Sequence, residues 1–261
     1  MEKIRLGLQV HAVREAFDED AAGTLLRVGA MGYEGVELNC WALVKEPQYY
    51  LDALAAAGLQ CFSCMASWAQ LQPEALESTI GLCKALGVKD LVLGSVESEP
   101  LKNDPTYPAR AIAYMNELVS VLAREGIRTG YHSHDMDSQR TMPGKSFYQQ
   151  VMEHTPETFC MVVDTGNVMG GGDDPIALLK QFPGRSPILH IKGYSQEKGY
   201  LTPVWESQAD GQQLLGTAIA QGGTHTMVIE FGARGGYEPF DRAEKSLAWL
   251  KTTLAQLEGS K

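Results

Sequence analysis

Residues 107–135 read YPARAIAYMNELVSVLAREGIRTGYHSHD, and this stretch holds one repeating unit of the chain. Its first part is an amphipathic stretch that runs up to Gly126, and a glycine directly after a helix supplies the left-handed residue that ends it. A short apolar run over Arg128–His132 follows and leads into a polar tail. The stretch therefore predicts a helix over Tyr107–Glu125 and then a buried strand.

The same alternation of short apolar run and amphipathic stretch recurs along the 261 residues. Runs rich in Val, Ile and Leu are typical of parallel strands buried on both faces. Eight strands alternating with helices match a (β/α)8 TIM barrel of the α/β class in number and length. Without a linker or a shift of composition, we expect a single domain over residues 1–261. The predicted strands are Ile4–Val10, Gly35–Asn39, Leu59–Cys64, Asp90–Gly94, Arg128–His132, Phe159–Asp164, Ile188–Lys192 and Thr226–Glu230.

The helices between these strands carry their own end signals. A glycine follows several of them, and Asp174-Pro175 is typical of an N-cap with proline in the first turn. A doubly wound sheet is the rival fold, but the first strand leads into residues 9–14 without the glycine cluster of a dinucleotide site. The predicted helices are Ala21–Met31, Pro47–Ala57, Pro73–Leu86, Tyr107–Glu125, Pro175–Phe182, Gln212–Gln221 and Arg242–Leu257.

Charge and composition exclude several classes of protein. The chain has 22 Lys and Arg against 32 Asp and Glu, a formal charge of −10, which disfavours nucleic-acid and anionic-lipid partners. No apolar run approaches the ~20 residues that span a bilayer. Five cysteines, an odd number, indicate reduced thiols, with Cys61 and Cys64 as a buried structural pair. We expect a cytoplasmic protein with a small-molecule partner and no nucleic-acid or membrane partner; a homo-oligomer stays open.

Four consecutive strands end in side chains that bind metals. His132, Asp164, His190 and Glu230 follow one another at about one βα unit each. Such side chains are costly in apolar strands unless they are paired or ligated, and a hydrogen-bonded barrel residue is the alternative for any single one. Two imidazoles and two carboxylates suit one divalent ion, either Mn²⁺, Co²⁺, Zn²⁺ or Fe²⁺. The sequence therefore predicts a metal site at the C-terminal end of the barrel.

Other polar residues near these strand ends are candidates for catalysis. A base near the metal takes a proton, and Glu230 and His134 are the candidates. Lys192 lies two residues after His190, on the same face of the strand, and is the candidate electrostatic clamp or acid.

A further set of four residues is expected to contact the substrate. Arg234 follows strand eight, where barrels often bind phosphate, although a plain loop is equally compatible. Trp68 is a candidate apolar wall for a sugar face, with core packing as its alternative. The predicted substrate-binding residues are Glu37, Asn167, Arg234 and Trp68.

The ordered set of strand-end motifs resembles the xylose-isomerase-like barrel superfamily, in the branch of sugar phosphate isomerases/epimerases. The resemblance covers nearly the whole chain, and inosose dehydratase-like relatives also carry a His-x-His after strand five. Its carriers are Gly7-Leu8-Gln9-Val10-His11-Ala12-Val13-Arg14, Met31-Gly32-Tyr33-Glu34-Gly35-Val36-Glu37, Gly130-Tyr131-His132-Ser133-His134-Asp135, Asp164-Thr165-Gly166-Asn167-Val168 and His190-Ile191-Lys192.

The resemblance implies a metal centre, with Asp164, His190 and Glu230 at positions where the epimerases have ligands. Strand five departs from the family pattern, because His132 replaces the usual Glu. Asn167 stands where epimerases carry a His, and Asp137 stands where the nearest branch carries a Glu. In the epimerases, the Glu on strand five both binds metal and moves protons. Its replacement by His132 therefore argues against the two-glutamate mechanism of epimerisation.

The resulting expectation is a metal-dependent sugar or cyclitol isomerase/epimerase that acts by α-proton abstraction through a metal-stabilised enediolate. A lyase of the same fold, either a keto-sugar or inosose dehydratase or an enzyme of 3-keto-glycoside cleavage, is the first alternative. A non-catalytic sugar-binding barrel is the second. A DNA-repair nuclease of this fold is disfavoured by the acidic charge.

Overall fold

The apolar runs form parallel strands that pair in chain order, and β8 pairs back with β1, so that the sheet closes into a barrel. The computed structural model describes residues 3–138, 144–232 and 235–259. The predicted (β/α)8 barrel is thereby confirmed. The strands are β1 (Arg5–Gln9), β2 (Gly35–Asn39), β3 (Gln60–Ala66), β4 (Asp90–Leu93), β5 (Arg128–His132), β6 (Cys160–Asp164), β7 (Ile188–Ile191) and β8 (Thr226–Ile229).

Helices surround the barrel and cover its outer face. The predicted helix Pro47–Ala57 has its expected bounds, with Gly58 in the left-handed conformation at its end. Among the described residues, no helix is both long and apolar enough to cross a membrane. The helices are α1 (Arg14–Glu19), α2 (Ala21–Ala30), α3 (Pro47–Ala57), α4 (Pro73–Ala85), α5 (Ser98–Asn103), α6 (Tyr107–Arg124), α7 (Phe147–His154), α8 (Thr165–Gly170), α9 (Pro175–Gln181), α10 (Gly211–Thr217) and α11 (Pro239–Gly259).

Four helices, α1, α5, α7 and α8, were not predicted from the sequence, and one predicted helix differs in form. Of these, α7 lies between β5 and β6, and its sequence signal is the capping box that Ser146 forms with Gln149. The helix predicted over Gln212–Gln221 is α10, followed by a wider π turn over Ala218–Gly222.

The core has two apolar layers, one on each side of the sheet. The larger layer lies between the strands and the helices and includes Leu8, Leu38 and Leu91. The smaller one fills the barrel interior, and because side chains alternate along a strand, it lies directly below the polar strand ends. The interior therefore has an apolar floor that supports the residues above it. This floor consists of Val92, Cys160, Val162, Ile188 and Val228.

A bulge in β3 changes which side chains face inward. Val36 of β2 pairs with Cys61 and Glu37 pairs with Ser63, so Phe62 is the additional residue. Phe62 and Ser63 both point into the barrel, because the Phe62 ring lies against Gly35 and the Ser63 hydroxyl bonds to Glu37. The alternation on either side of the bulge then places Cys61 and Cys64 on the same, outer face.

Candidate metal centre

Four side chains from four consecutive strands meet inside the top of the barrel. His132 and Asp164 end β5 and β6, His190 lies in β7, and Glu230 directly follows β8. One ligand atom from each of the four lies within 4.8 Å of those of the others. The four residues are between 0% and 7% exposed. The structure thus brings together all four residues that the sequence singled out as metal ligands.

The contacts within this cluster leave polar atoms without hydrogen bonds. His190 Nδ1 lies 2.6 Å from Glu230 Oε2, whereas His132 Nε2 lies 3.3 Å from Glu230 Oε2 and 3.5 Å from Asp164 Oδ2. Neither His132 Nε2 nor Asp164 Oδ2 has a hydrogen-bond partner among the described residues. A buried polar atom without a partner costs ~1–3 kcal/mol, and a cation between these atoms would remove that cost. The donor set therefore fits a divalent ion.

The charges of the cluster shift the pKa values of its members. Burial alone would lower the pKa of His190, but the carboxylates of Glu37 and Glu230 raise it to about 10. Burial would raise the pKa of Glu230, but Lys192 and His132 hold it well below its usual range. The carboxylates thus keep protons on imidazole, and a metal ion that binds here would displace protons into solvent.

Glu37 of β2 supports the cluster from below. Its Oε1 lies 3.1 Å from His190 Nε2, and its other oxygen accepts a hydrogen bond of 2.5 Å from Ser63 Oγ. Gln9 Nε2 donates to Glu37 Oε1 at 3.1 Å. Glu37 is fully buried and does not line the cavity beside the cluster. This geometry favours a role in orienting the His190 ring over the substrate contact that the sequence suggested.

Lys192 and Asn167 form the polar edge of the cluster. Lys192 Nζ lies 3.3 Å from Glu230 Oε1 and 3.5 Å from Asp164 Oδ2, and it donates to Asn167 Oδ1 at 3.0 Å. Burial would lower the pKa of Lys192, but Asp164 and Glu230 raise it above its usual range. Lys192 is therefore a positive charge fixed between two carboxylates of the cluster.

A cavity of about 450 Å³ opens beside the cluster, and His134 lies in its wall. The His134 ring packs against His132, with 4.8 Å between ring centroids, and its Nδ1 has no hydrogen-bond partner among the described residues. Burial and the neighbouring His132 lower the pKa of His134 to about 4. His134 thus presents a neutral imidazole that can accept a proton.

Several uncharged polar residues of the cavity wall were not predicted as site residues from the sequence. They lie at or just after the ends of the first four strands, and without charge they gave no signal beyond their position. The described wall consists of Gln9, His11, Asn39, Trp41, Met65, Ser67, Gly94, Ser95, His132, His134 and Glu230.

Trp68 does not lie in this wall. Its ring packs against Tyr114 at 5.5 Å and Tyr107 at 6.4 Å, both on α6. The packing alternative therefore describes Trp68, and Trp41, which is 48% exposed, provides the aromatic ring at the cavity. Arg234 lies outside the described residues.

Comparison with known proteins identifies the fold. No protein-family model matches the sequence, and no curated protein matches it. Among solved structures, a sugar phosphate isomerase/epimerase from Parabacteroides distasonis ATCC 8503 superposes with a TM-score of 0.77 at 19% identity, over 95% of this chain and 98% of that chain. The chain has the fold of the xylose-isomerase-like barrels.

Two further solved structures share this fold across nearly their whole length. The IolI protein, solved with a bound zinc atom, has a TM-score of 0.67 at 16% identity, over 97% of this chain and 98% of that chain. The probable 3-DHS dehydratase AsbF from Bacillus anthracis has a TM-score of 0.71 at 13% identity, over 95% and 99%. The resemblance seen in the sequence is therefore confirmed at the level of the fold, which by itself does not fix the reaction.

Proposed function

We propose that this protein is a metal-dependent sugar or cyclitol isomerase/epimerase that acts by α-proton abstraction. The observation that carries the proposal is the meeting of two imidazoles and two carboxylates beside an open cavity at the C-terminal end of the barrel, with buried atoms that lack a hydrogen bond among the described residues. Barrel enzymes place their active sites at this end. The sugar phosphate isomerase/epimerase and the zinc-containing IolI protein among the similar structures support the same class.

His132, Asp164, His190 and Glu230 are the residues that would hold one divalent ion, either Mn²⁺, Co²⁺, Zn²⁺ or Fe²⁺. When bound, such an ion supplies Lewis-acid chemistry, which acidifies the C–H next to a substrate carbonyl and stabilises negative charge on the adjacent oxygens. Glu37 keeps the His190 ring in one orientation, since its carboxylate contacts Nε2 while Nδ1 faces the cluster.

His134 is the base that the geometry favours over Glu230. Both Glu230 oxygens are already engaged, Oε1 by Lys192 and Oε2 by the two cluster imidazoles. His134 Nδ1 has no such contact among the described residues, and its ring borders the cavity. His134 would take the proton from the α carbon, and Lys192 would act as the clamp that keeps Glu230 ionised and in place.

The fate of that proton decides the reaction class. Return of the proton to the neighbouring carbon interconverts a ketose and an aldose. Its delivery to the opposite face of the α carbon instead gives an epimer. Both outcomes begin with abstraction of the α proton by the base. When the protonated base exchanges with solvent before it returns the proton, deuterium from D₂O enters the substrate, so this exchange is the observable to test.

The test is NMR-detected exchange of α protons in D₂O with a panel of ketoses and keto-cyclitols and with Mn²⁺- or Co²⁺-loaded protein. We expect exchange with at least one member of the panel, and His134→Asn should slow it by ~10²–10⁴. His154→Asn is the matched control, because His154 lies on α7 and bonds to the Gln150 carbonyl. Absence of exchange across the panel would contradict the proposal, and unchanged exchange in His134→Asn would return the role of base to Glu230.

A lyase is the second candidate, and the imidazole at the end of β5 favours it. With His132 at this position, Glu230 is the one carboxylate in the described wall of the cavity. Elimination needs one base and a leaving group at the β carbon, and the fold is shared with the probable dehydratase AsbF. Release of water or of a β-linked glycosyl group, seen by product analysis, would identify the lyase, whereas ligand binding without exchange or release would indicate a sugar-binding barrel.

The setting of this activity is also a proposal. All five cysteines are free, as expected for a protein of the reducing cytoplasm. The proposed partner is a small sugar, a cyclitol or a keto derivative of one. A homo-oligomer stays a prediction.

A further inference from the structure

Four of the five cysteines gather behind β2 and β3, on the outer side of the barrel. Cys40 directly follows β2, Cys61 and Cys64 lie on β3, and Cys83 lies on α4. The sulfur atoms of Cys40, Cys64 and Cys83 lie within 4.8 Å of one another, and the three residues are 4%, 0% and 0% exposed. Cys61 is partly exposed, with its Sγ 4.0 Å from that of Cys64. We call these four residues the thiol cluster.

The bulge in β3 creates this cluster. Residues three apart on a regular strand point to opposite faces, so Cys61 and Cys64 would lie on opposite sides of the sheet. The additional residue, Phe62, restores them to one face, where Cys83 approaches Cys64 from the covering helix. The backbone irregularity thus brings together thiols that the strand period would separate.

A disulfide within β3 does not fit this geometry. Cys61 and Cys64 pair with Val36 and Leu38, so the bulge leaves them about two residues of strand apart, or ~7 Å between Cα atoms, at the limit beyond which a disulfide needs backbone movement. The 4.0 Å between the Cys61 and Cys64 sulfurs is also about twice a disulfide bond length. It instead matches the spacing of two sulfurs that share a metal ion, because a tetrahedral site with Zn–S bonds of about 2.3 Å has edges of about 3.8 Å.

We propose that the thiol cluster is a second metal site, which takes a soft divalent ion such as Zn²⁺. Cys40, Cys64 and Cys83 form its buried base. Cys61, whose sulfur lies 4.0 Å from that of Cys64, would turn toward the other two as the fourth ligand from the partly exposed side, where the ion enters. Each thiol that binds gives its proton to solvent, so a four-thiolate site releases four protons and keeps a net charge of −2. Thiolates select soft ions, and the site differs in this respect from the imidazole and carboxylate cluster inside the barrel.

A bound ion would join three neighbouring elements of the fold. It would link the end of β2, the strand β3 and the helix α4, and ligand binding to the native state alone stabilises that state. The thiol cluster lies on the other side of the sheet from the cavity and contributes nothing to the cavity wall. The site is therefore structural, and its failure would leave the proposed reaction untouched.

The test is a Cd²⁺ titration of the reduced, metal-free protein, followed by the ultraviolet thiolate-to-cadmium charge-transfer absorption. We expect the band to saturate at one Cd²⁺ per chain and to be absent in Cys83→Ala and Cys40→Ala. Cys160→Ala is the matched control, since Cys160 is buried inside the barrel, outside the thiol cluster. His190→Asn should also retain the band, because imidazole and carboxylate ligands do not produce it.

Two results would overturn the proposal. One is the absence of the band in the wild-type protein, and another is an unchanged band in both Cys83→Ala and Cys40→Ala. Circular dichroism checks that these variants are folded, and the use of two separate thiols guards against a single misfolded variant. Cys61→Ser should weaken Cd²⁺ binding at least about tenfold if Cys61 is the fourth ligand, and unchanged affinity would remove Cys61 from the site.

Discussion

Two buried clusters of metal-binding side chains lie on opposite faces of the same sheet. Inside the barrel, His132, Asp164, His190 and Glu230 form a cluster of ionisable side chains, and His132 and Glu230 border a cavity. Outside it, the thiol cluster packs in the apolar layer between β3 and the helices. Two members of the inner cluster thus face a cavity, whereas in the outer cluster only Cys61 is partly exposed. The face of the strand, more than residue type alone, thus separates the proposed site of chemistry from the proposed site of stability.

The largest expected effect concerns the inner cluster. Glu230→Gln keeps the shape of the side chain but removes the charge that contacts His132, His190 and Lys192. We expect α-proton exchange to fall to the rate of the uncatalysed reaction, measured by NMR in D₂O. Full exchange in this variant would show that the inner cluster is not the site of the reaction.

The next effect concerns the support of that cluster. Glu37→Gln weakens the charged contact to His190 Nε2 while it keeps hydrogen-bonding atoms for Ser63 and Gln9. We expect metal affinity to fall ~10–100-fold, because a residue that orients a metal ligand typically contributes that much. Isothermal titration with Mn²⁺ measures this, and an affinity within twofold of wild type would restore Glu37 to the list of candidate substrate contacts.

Removal of metal gives a smaller effect, on stability. At a free metal concentration of 100 times Kd, binding at one site stabilises the native state by about 2.7 kcal/mol. We expect the Tm to fall by about 5–10 °C when a chelator removes the metal, as measured by differential scanning calorimetry. Equal Tm values with and without chelator would contradict metal binding at both clusters.

The smallest effect separates the two clusters most sharply. Cys83→Ala removes a thiol on the outer face, so α-proton exchange should stay within about twofold of wild type while thermal stability falls. Truncation of a buried side chain leaves a cavity that the surroundings fill only in part. Exchange measured beside a thermal melt gives both quantities, and a large loss of exchange in a folded Cys83→Ala protein would join the two clusters into one site.

The sequence predicted the barrel well because its signals are local. Apolar runs and helix ends gave Gly35–Asn39 and Arg128–His132 with their observed bounds. The helix over Phe147–His154 was not predicted, because it is short and its capping box was the main signal for it. The inner cluster could be predicted because charged groups in apolar strands stand out against their neighbours.

The contacts that could not be predicted depend on three-dimensional detail. Glu37 is distant from His190 in the chain, and only the closure of the barrel brings its carboxylate beneath the ring. The convergence of Cys64 and Cys83 depends on the bulge at Phe62, and strand periodicity does not reveal a bulge. Trp68 was taken for a cavity residue because it follows β3, but its ring turns toward α6.

The most direct test of the central claim is Mn²⁺ binding to tag-free, metal-depleted protein, measured by elemental analysis after equilibrium dialysis. Mn²⁺ prefers oxygen and imidazole ligands over thiolates, so it reports on the inner cluster. The account predicts one equivalent per chain in the wild type and in Cys83→Ala, and its loss in Asp164→Asn. Wild-type protein that takes up no Mn²⁺, Co²⁺ or Zn²⁺ at the inner cluster, or Asp164→Asn protein that binds a full equivalent of Mn²⁺, would contradict it.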